Sequence, residues 1–247
     1  MADFQKDLAA HQAEMAGFSK EWLDYVSETA AGGIRYLVDH GVRVISFSAF
    51  LGLAEIKRSD PQAAARLQDG FDYAKEKDVI IVLGAGNNNQ RVTDYPGDSS
   101  FVLIAGASML TGQRWTMSAK VRGMEIKQGS DYGPRLSVVA PVENMVIAAP
   151  HEEAYYDWKD TPLGAQKVPF NGHYQVRTCA TSCAAPQVAA LAALVRTVRP
   201  DLKAAKVIHL IEQGADPIGA PGFHEETGYG RIDFLRTLDL AQKAKPN

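Results

Sequence analysis

Hydrophobic positions along the chain alternate between helical and extended spacing. Trp22, Val26, Ala30, Ile34, Leu37 and Val38 recur every three to four residues from Ser19 on, which predicts a helix interrupted around Gly32-Gly33 and stopped by Gly41. Residues 42–48 then form an apolar run suited to a strand buried in a parallel sheet. A second helix follows, with Ala64, Leu67, Phe71 and Ala74 on one side. It feeds a buried strand over residues 79–83 that ends in Gly84-Ala85-Gly86-Asn87-Asn88-Asn89, and a third strand covers residues 101–107. Alternation of strand and helix requires right-handed crossovers, so the pattern predicts an α/β fold with a doubly wound parallel sheet and helices on both faces. Ligands of such sheets sit beyond the carboxyl ends of the strands. That rule places Ser48 to Gly52 beside Gly84 to Asn89 on one rim.

Residues 108–178 have weaker periodicity, with a short strand at 136–141 and a polar stretch over 151–172. Next comes a polar turn, Thr178-Cys179-Ala180-Thr181-Ser182, running into an apolar helix. Proline is tolerated in a first helical turn, so Pro186 marks the predicted start and puts Ser182 at or just before it. Val188, Leu191, Ala192 and Val195 follow among alanines, so this helix is expected to be buried nearly all round. Asp201 is expected to cap a helix reaching Ile211, with Val207, Leu210 and Ile211 inward, and a last helix is expected near 234–243 after a glycine-rich turn. Residues 1–18 have the weak periodicity of a frayed helix. The organisation expected is an amino-terminal extension over 1–28 and one domain over 29–243.

The net charge of −3 offers no basic face for nucleic acid and no polybasic patch for a membrane. No apolar run reaches the roughly 18–20 residues of a spanning helix, and the amino terminus has no secretory apolar core, so a cytoplasmic location is expected. Cys179 and Cys183 lie four apart on either side of Ser182, where a bridge would strain the turn, so free thiols are expected.

A hydroxyl at the mouth of a buried helix suits a cap, and it also suits a nucleophile whose reaction develops negative charge; locally Ser182 fits both. Gly84-Ala85-Gly86 after a strand invites a dinucleotide reading, but Asn89 stands where the third glycine belongs and no helix follows to meet a pyrophosphate. Asn87 fits either a turn-closing asparagine or an amide aimed at a developing oxyanion.

The segment 180–189, Ala-Thr-Ser-Cys-Ala-Ala-Pro-Gln-Val-Ala, resembles the nucleophile motif G-T-S-M-A-x-P-H-V-A of subtilisin-like serine proteases. Residues 81–87 are similar to that family's oxyanion-asparagine segment, and residues 44–50 to the strand bordering its substrate cleft. Tyr132-Gly133-Pro134, Val139-Ala140-Pro141 and the Gly228–Asp233 turn fall in the family's order too, so the resemblance covers roughly residues 29–240. It implies that Ser182 is a nucleophile for peptide-bond hydrolysis and Asn87 the oxyanion donor. Ser48, Ala49, Phe50, Gly84, Ala85 and Gly86 would line the substrate cleft. No cofactor is implied; the family allows calcium, for which the sequence identifies no site.

The departures from the family pattern set the functional expectation. The sequence contains no D-[ST]-G and no H-G-x-H, the motifs that carry the family's aspartate and histidine upstream of the cleft strand. Of the six histidines, His173 alone is close in sequence to Ser182; Glu152-Glu153 reads as a solvated pair, and His40 and His209 as helix residues. Ala180, Cys183 and Gln187 replace the motif's glycine, methionine and histidine, and Phe50 stands where the cleft has glycine. In subtilisin, loss of the histidine alone costs about 10⁶ in kcat. The expectation is therefore a subtilisin-like domain without its first strands, inactive alone. It would be completed by a partner chain bearing aspartate and histidine, or act as a peptide- or protein-binding pseudoprotease, or use His173 in a substitute dyad. An exposed sheet edge would admit the complementing chain or a second copy.

Overall fold

The computed structural model of the chain describes residues 20–49, 52–121, 124–148, 155–157, 166–168 and 174–245. In chain order these form α1 (Lys20–Asp39), β1 (Val44–Phe47), α2 (Leu53–Ser59), α3 (Pro61–Glu76), β2 (Ile80–Gly84), β3 (Val102–Ser108), β4 (Thr116–Val121), β5 (Met124–Gly129), β6 (Val138–Pro141), β7 (Met145–Ala148), β8 (Tyr155–Asp157), β9 (Gln166–Val168), β10 (Tyr174–Arg177), α4 (Thr181–Val198), α5 (Ala204–Gly214) and α6 (Phe234–Lys243). Four strands make the central sheet in the order β1-β2-β3-β6, all parallel. Every residue of β2 and β3 is buried, so both faces of the sheet are covered, as the continuous apolar runs require. α4 packs against all four strands, while Leu67, Phe71 and Ala74 of α3 complete the core. This is the expected α/β architecture.

Several expectations change in detail. α1 is continuous through Gly32 and Gly33, and it runs across residue 28. Its buried face is Leu23, Ser27, Ala30, Ala31, Ile34 and Val38, whereas Trp22 and Leu37 stay exposed. Packing on α3 turns it this way: Gly70 admits Ala31 so closely that a Cβ there would lie 2.8 Å from the Ala31 Cα. α5 begins at Ala204 and is not capped by Asp201, which pairs with Arg199 at 2.7 Å. The Asp78 carboxylate, far away in sequence, accepts the Ala204 N–H at 2.8 Å. Residues 108–178 contain antiparallel pairs β4–β5, β7–β10 and β8–β9 beside the expected strand β6. Residues 1–18, Phe50, His151, the Glu152-Glu153 pair and His173 lie outside the described residues.

α4 departs most from expectation. It starts at Thr181, so Ser182 lies inside the first turn and Pro186 in the second. Proline has no N–H to bond the carbonyl four residues back, and that carbonyl belongs to Ser182. The Ser48 hydroxyl donates to it instead, at 3.0 Å. Nor is α4 buried all round: Ala190, Ala193, Leu194 and Val198 are exposed, Leu194 by 41% and Val198 by 42%. By length and composition it is also the membrane-length apolar helix that the sequence reading excluded, although half of it is buried here. Finally, Cys179 and Cys183 are joined by a disulfide rather than free. The helical rise from the loop into the first turn holds their Cα atoms 6.0 Å apart, an ordinary separation for a bridge.

Candidate active site

β2 ends at Gly84, where the sheet meets the amino terminus of α4. A Cβ at Gly84 would lie 3.3 Å from both the carbonyl oxygen and the hydroxyl of Thr181, so glycine permits this approach. The chain then turns through Gly86, whose φ of 105° lies in the left-handed region, to present Asn87. The amide oxygen of Asn87 accepts two hydrogen bonds from Thr181, from its N–H at 3.1 Å and its hydroxyl at 2.8 Å. A backbone N–H only donates, so the accepting atom is Oδ1 and the other end of the amide is Nδ2. Among the described residues Nδ2 has no hydrogen-bond partner. The Gly86 N–H donates to the same Thr181 hydroxyl at 3.3 Å.

Ser182 follows Thr181 on an exposed surface. Its hydroxyl donates to the Ser48 carbonyl at 3.2 Å, reciprocating the bond from the Ser48 hydroxyl to its own carbonyl. Its N–H belongs to a first helical turn, where backbone donors have no intrahelical acceptor and the dipole is positive. Helix start, strand end and the segment after β1 therefore bring Ser182, Asn87 and Ser48 to one rim. Thr181 is the residue that sequence reading overlooked. Its signal was a β-branched hydroxyl immediately before Ser182; it is buried in the structure and holds the Asn87 amide.

Ala49 is exposed beside Ser48. Gly84, Ala85 and Gly86 are buried, and their neighbours engage their polar groups: the Ala85 N–H donates to Ala105 O at 3.0 Å, and its carbonyl takes the Tyr95 hydroxyl at 2.9 Å. Burial, with the Asp131 charge second, raises the Tyr95 pKa and keeps that hydroxyl a donor. Gln187 donates to Pro141 O and Cys183 O, each at 2.9 Å, which ties the first turns of α4 to the end of β6.

No described histidine reaches Ser182. His40 Nδ1 lies 2.7 Å from the Tyr36 carbonyl, His224 Nε2 lies 2.7 Å from the Ala220 carbonyl, and His209 is exposed on α5. Among the described residues, no group of three or more histidine, cysteine, aspartate or glutamate side chains is placed to hold a metal ion.

Residues 20–230 match the model of the subtilase family, peptidase S8. Fervidolysin from Fervidobacterium pennivorans is 27% identical over 221 positions, covering 87% of this chain and 27% of its own. Mycosin-1 from Mycobacterium tuberculosis is 30% identical over 246 positions, covering 85% and 48%. A probable subtilase-type serine protease of Deinococcus radiodurans is 29% identical over 187 positions, covering 72% and 24%. The chain thus spans between a quarter and a half of the length of these curated relatives. In solved structures, the MycP3 protease of the type VII (ESX-3) secretion system superposes with a TM-score of 0.59 at 29% identity, over 86% of this chain and 57% of that one. MycP1 of the ESX-1 system gives 0.64 at 21% identity, over 90% and 57%. With a family match over residues 20–230, a span that includes the strand ends and helix start that build this rim, the chain belongs to the subtilase family of serine peptidases.

Proposed function

We propose that this chain carries the nucleophile and oxyanion-binding part of a subtilisin-like peptidase site, and that it hydrolyses peptide bonds only when a polypeptide bearing histidine and aspartate completes that site. The substrate class, a peptide or protein, follows from the family. In this reading Ser182 Oγ attacks the scissile carbonyl, while Asn87 Nδ2 and the Ser182 N–H receive the oxyanion. Ser48 and Ala49 border the acyl group, and Gly84–Gly86 form the floor beneath it.

The single observation that carries the proposal is the pairing at the two side chains. Thr181 takes the acceptor end of the Asn87 amide and leaves its donor end without a partner among the described residues, whereas the Ser182 hydroxyl donates to a backbone carbonyl that cannot take the proton away. An aligned oxyanion donor is worth about 10²–10³ in rate. Without the histidine only about 10³–10⁴ over water remains, too little for a working protease. The sheet supports completion by a further strand: among the described residues β1 pairs on one side only, with β2, and its other edge is left to a further parallel strand. Leu194 and Val198 leave an apolar stripe on α4 for added structure to cover.

Casein hydrolysis, measured with the chain alone and after mixing with a polypeptide that contains the family's aspartate and histidine motifs, tests this. Activity is expected only in the mixture, and only with Ser182 intact. Ser182-dependent hydrolysis by the chain alone would mean that it contains its own base. No hydrolysis by a mixture whose association is verified would leave binding without catalysis.

A further inference from the structure

We infer that Asp131 is the positioning residue for Asn87, holding the loop after β2 so that the side-chain amide faces Ser182. The inference rests on the role proposed for Asn87. Asp131 is fully buried. Its N–H donates to the Gly86 carbonyl at 2.8 Å, and its Oδ1 accepts the N–H groups of Asn88 and Gln90, each at 2.9 Å. These tethers fall at residues 86, 88 and 90 and so bracket Asn87.

The loop needs such an acceptor. It reverses through two left-handed residues, Gly86 and Asn89 with a φ of 55°, so its amides cannot all join a regular ladder. The strand beside it takes part of the set: Gly129 N–H donates to Asn87 O at 3.2 Å and Asn89 N–H to Gly129 O at 2.9 Å. The Asn88 and Gln90 donors converge on one oxygen of the Asp131 side chain, Oδ1. The other oxygen, Oδ2, is buried with no hydrogen-bond partner among the described residues, so the loop receives the bonds this side chain makes. Arg114 adds a second strut nearby, donating from Nη1 to Asn89 Oδ1 and to Ser130 O, both at 2.7 Å. On the far side of Asn87 stands Thr181. The amide is thus clamped between the helix start and the Asp131 loop, and misplacement of an oxyanion donor by an ångström costs rate rather than binding.

Two substitutions test the inference in the full chain without any catalytic readout. D131A is expected to speed amide hydrogen exchange at Asn88 and Gln90 at least tenfold and to shift the Asn87 side-chain NH₂ resonances, with exchange in the middle of α4 unchanged. D131N keeps an oxygen for the same two donors and is expected to stay within about threefold of the parent. Unchanged exchange in D131A, or a tenfold rise in D131N, would overturn the inference; the second criterion holds even if D131A fails to fold. In the completed enzyme, D131A is expected to lower kcat by ten- to a thousandfold with KM within about twofold, and to add nothing to N87A. Additive losses in the double variant would overturn it. If N87A itself leaves turnover intact, the assignment of Asn87 fails, and the exchange data still decide the role of Asp131.

Discussion

Replacing Thr181 by valine keeps the shape of a side chain that is 2% exposed and removes one oxygen. That oxygen donates to Asn87 Oδ1 at 2.8 Å and accepts the Gly86 N–H at 3.3 Å. Losing the first bond costs about 0.5–1.5 kcal/mol. Leaving the buried Gly86 N–H without an acceptor costs about 1–3 kcal/mol, toward the lower end because the bond is long. Valine leaves no cavity, so the sum is about 2–3 kcal/mol, which for a chain of this size lowers Tm by about 5–10 °C. Urea unfolding is expected to show a lower midpoint with an unchanged slope. T181S, which retains the hydroxyl, is expected to recover most of the loss. A double-mutant cycle with N87A isolates the contact and is expected to give a coupling of about 0.5–1.5 kcal/mol. T181V within 0.5 kcal/mol of the parent, or zero coupling to Asn87, would refute the claim that Thr181 holds the amide.

Three further outcomes follow from charge and covalent structure. Burial pushes Glu212 up to about 7, so its folded state favours the proton; stability is expected to fall as pH rises from about 4.5 to about 7. E212Q is expected to match the parent near pH 4.5 and to exceed it at pH 8 by about 1–2 kcal/mol, allowing for partial exposure, and a parallel pH dependence of the two proteins would contradict this. Burial alone would raise the Asp78 pKa, but hydrogen bonds from Arg196 and the Ala204 N–H, with the Arg196 charge, outweigh it and hold the carboxyl below its ordinary value. That stability is present above about pH 3.8 and is lost as pH falls through the depressed folded value. At Arg196 burial outweighs the pair and lowers its pKa, yet the guanidinium stays charged, so D78A strands a buried cation, uncaps α5 and is expected to cost about 3–5 kcal/mol by urea unfolding. The Cys179–Cys183 bridge closes a very short loop, so its reduction is expected to cost only about 2 kcal/mol, read as a Tm difference with and without a dithiol; identical thiol titres in the two states would contradict the bridge.

The sheet was legible because parallel strands covered on both faces read as continuous apolar runs, and residues 80–84 and 102–108 fall within one residue of where such runs place them. The turn that meets them was legible as a motif, and the segments that carry Ser182, Asn87 and Ser48 meet at one rim. Less could be read of what depends on distant partners. The cap of α5 comes from Asp78, which no local rule connects to Ala204. Pro186 misled the placement of the start of α4 because a hydroxyl at Ser48 satisfies the carbonyl that proline frees, and spacing does not encode that exchange. The buried face of α1 was set by its close crossing with Gly70, so its largest apolar residue, Trp22, stays outside. Asp131 and Thr181, the two holders of Asn87, are ordinary residues in a string and acquire meaning only when the loop closes around them.

The central claim, a nucleophile and oxyanion donor in place without a base, is tested most directly by labelling intact protein with a fluorophosphonate and reading the mass of the Ser182 peptide. The account predicts no adduct on the chain alone, an adduct at Ser182 once the aspartate- and histidine-bearing polypeptide is added, and its loss in N87A. Rapid labelling of Ser182 in the chain alone would contradict it.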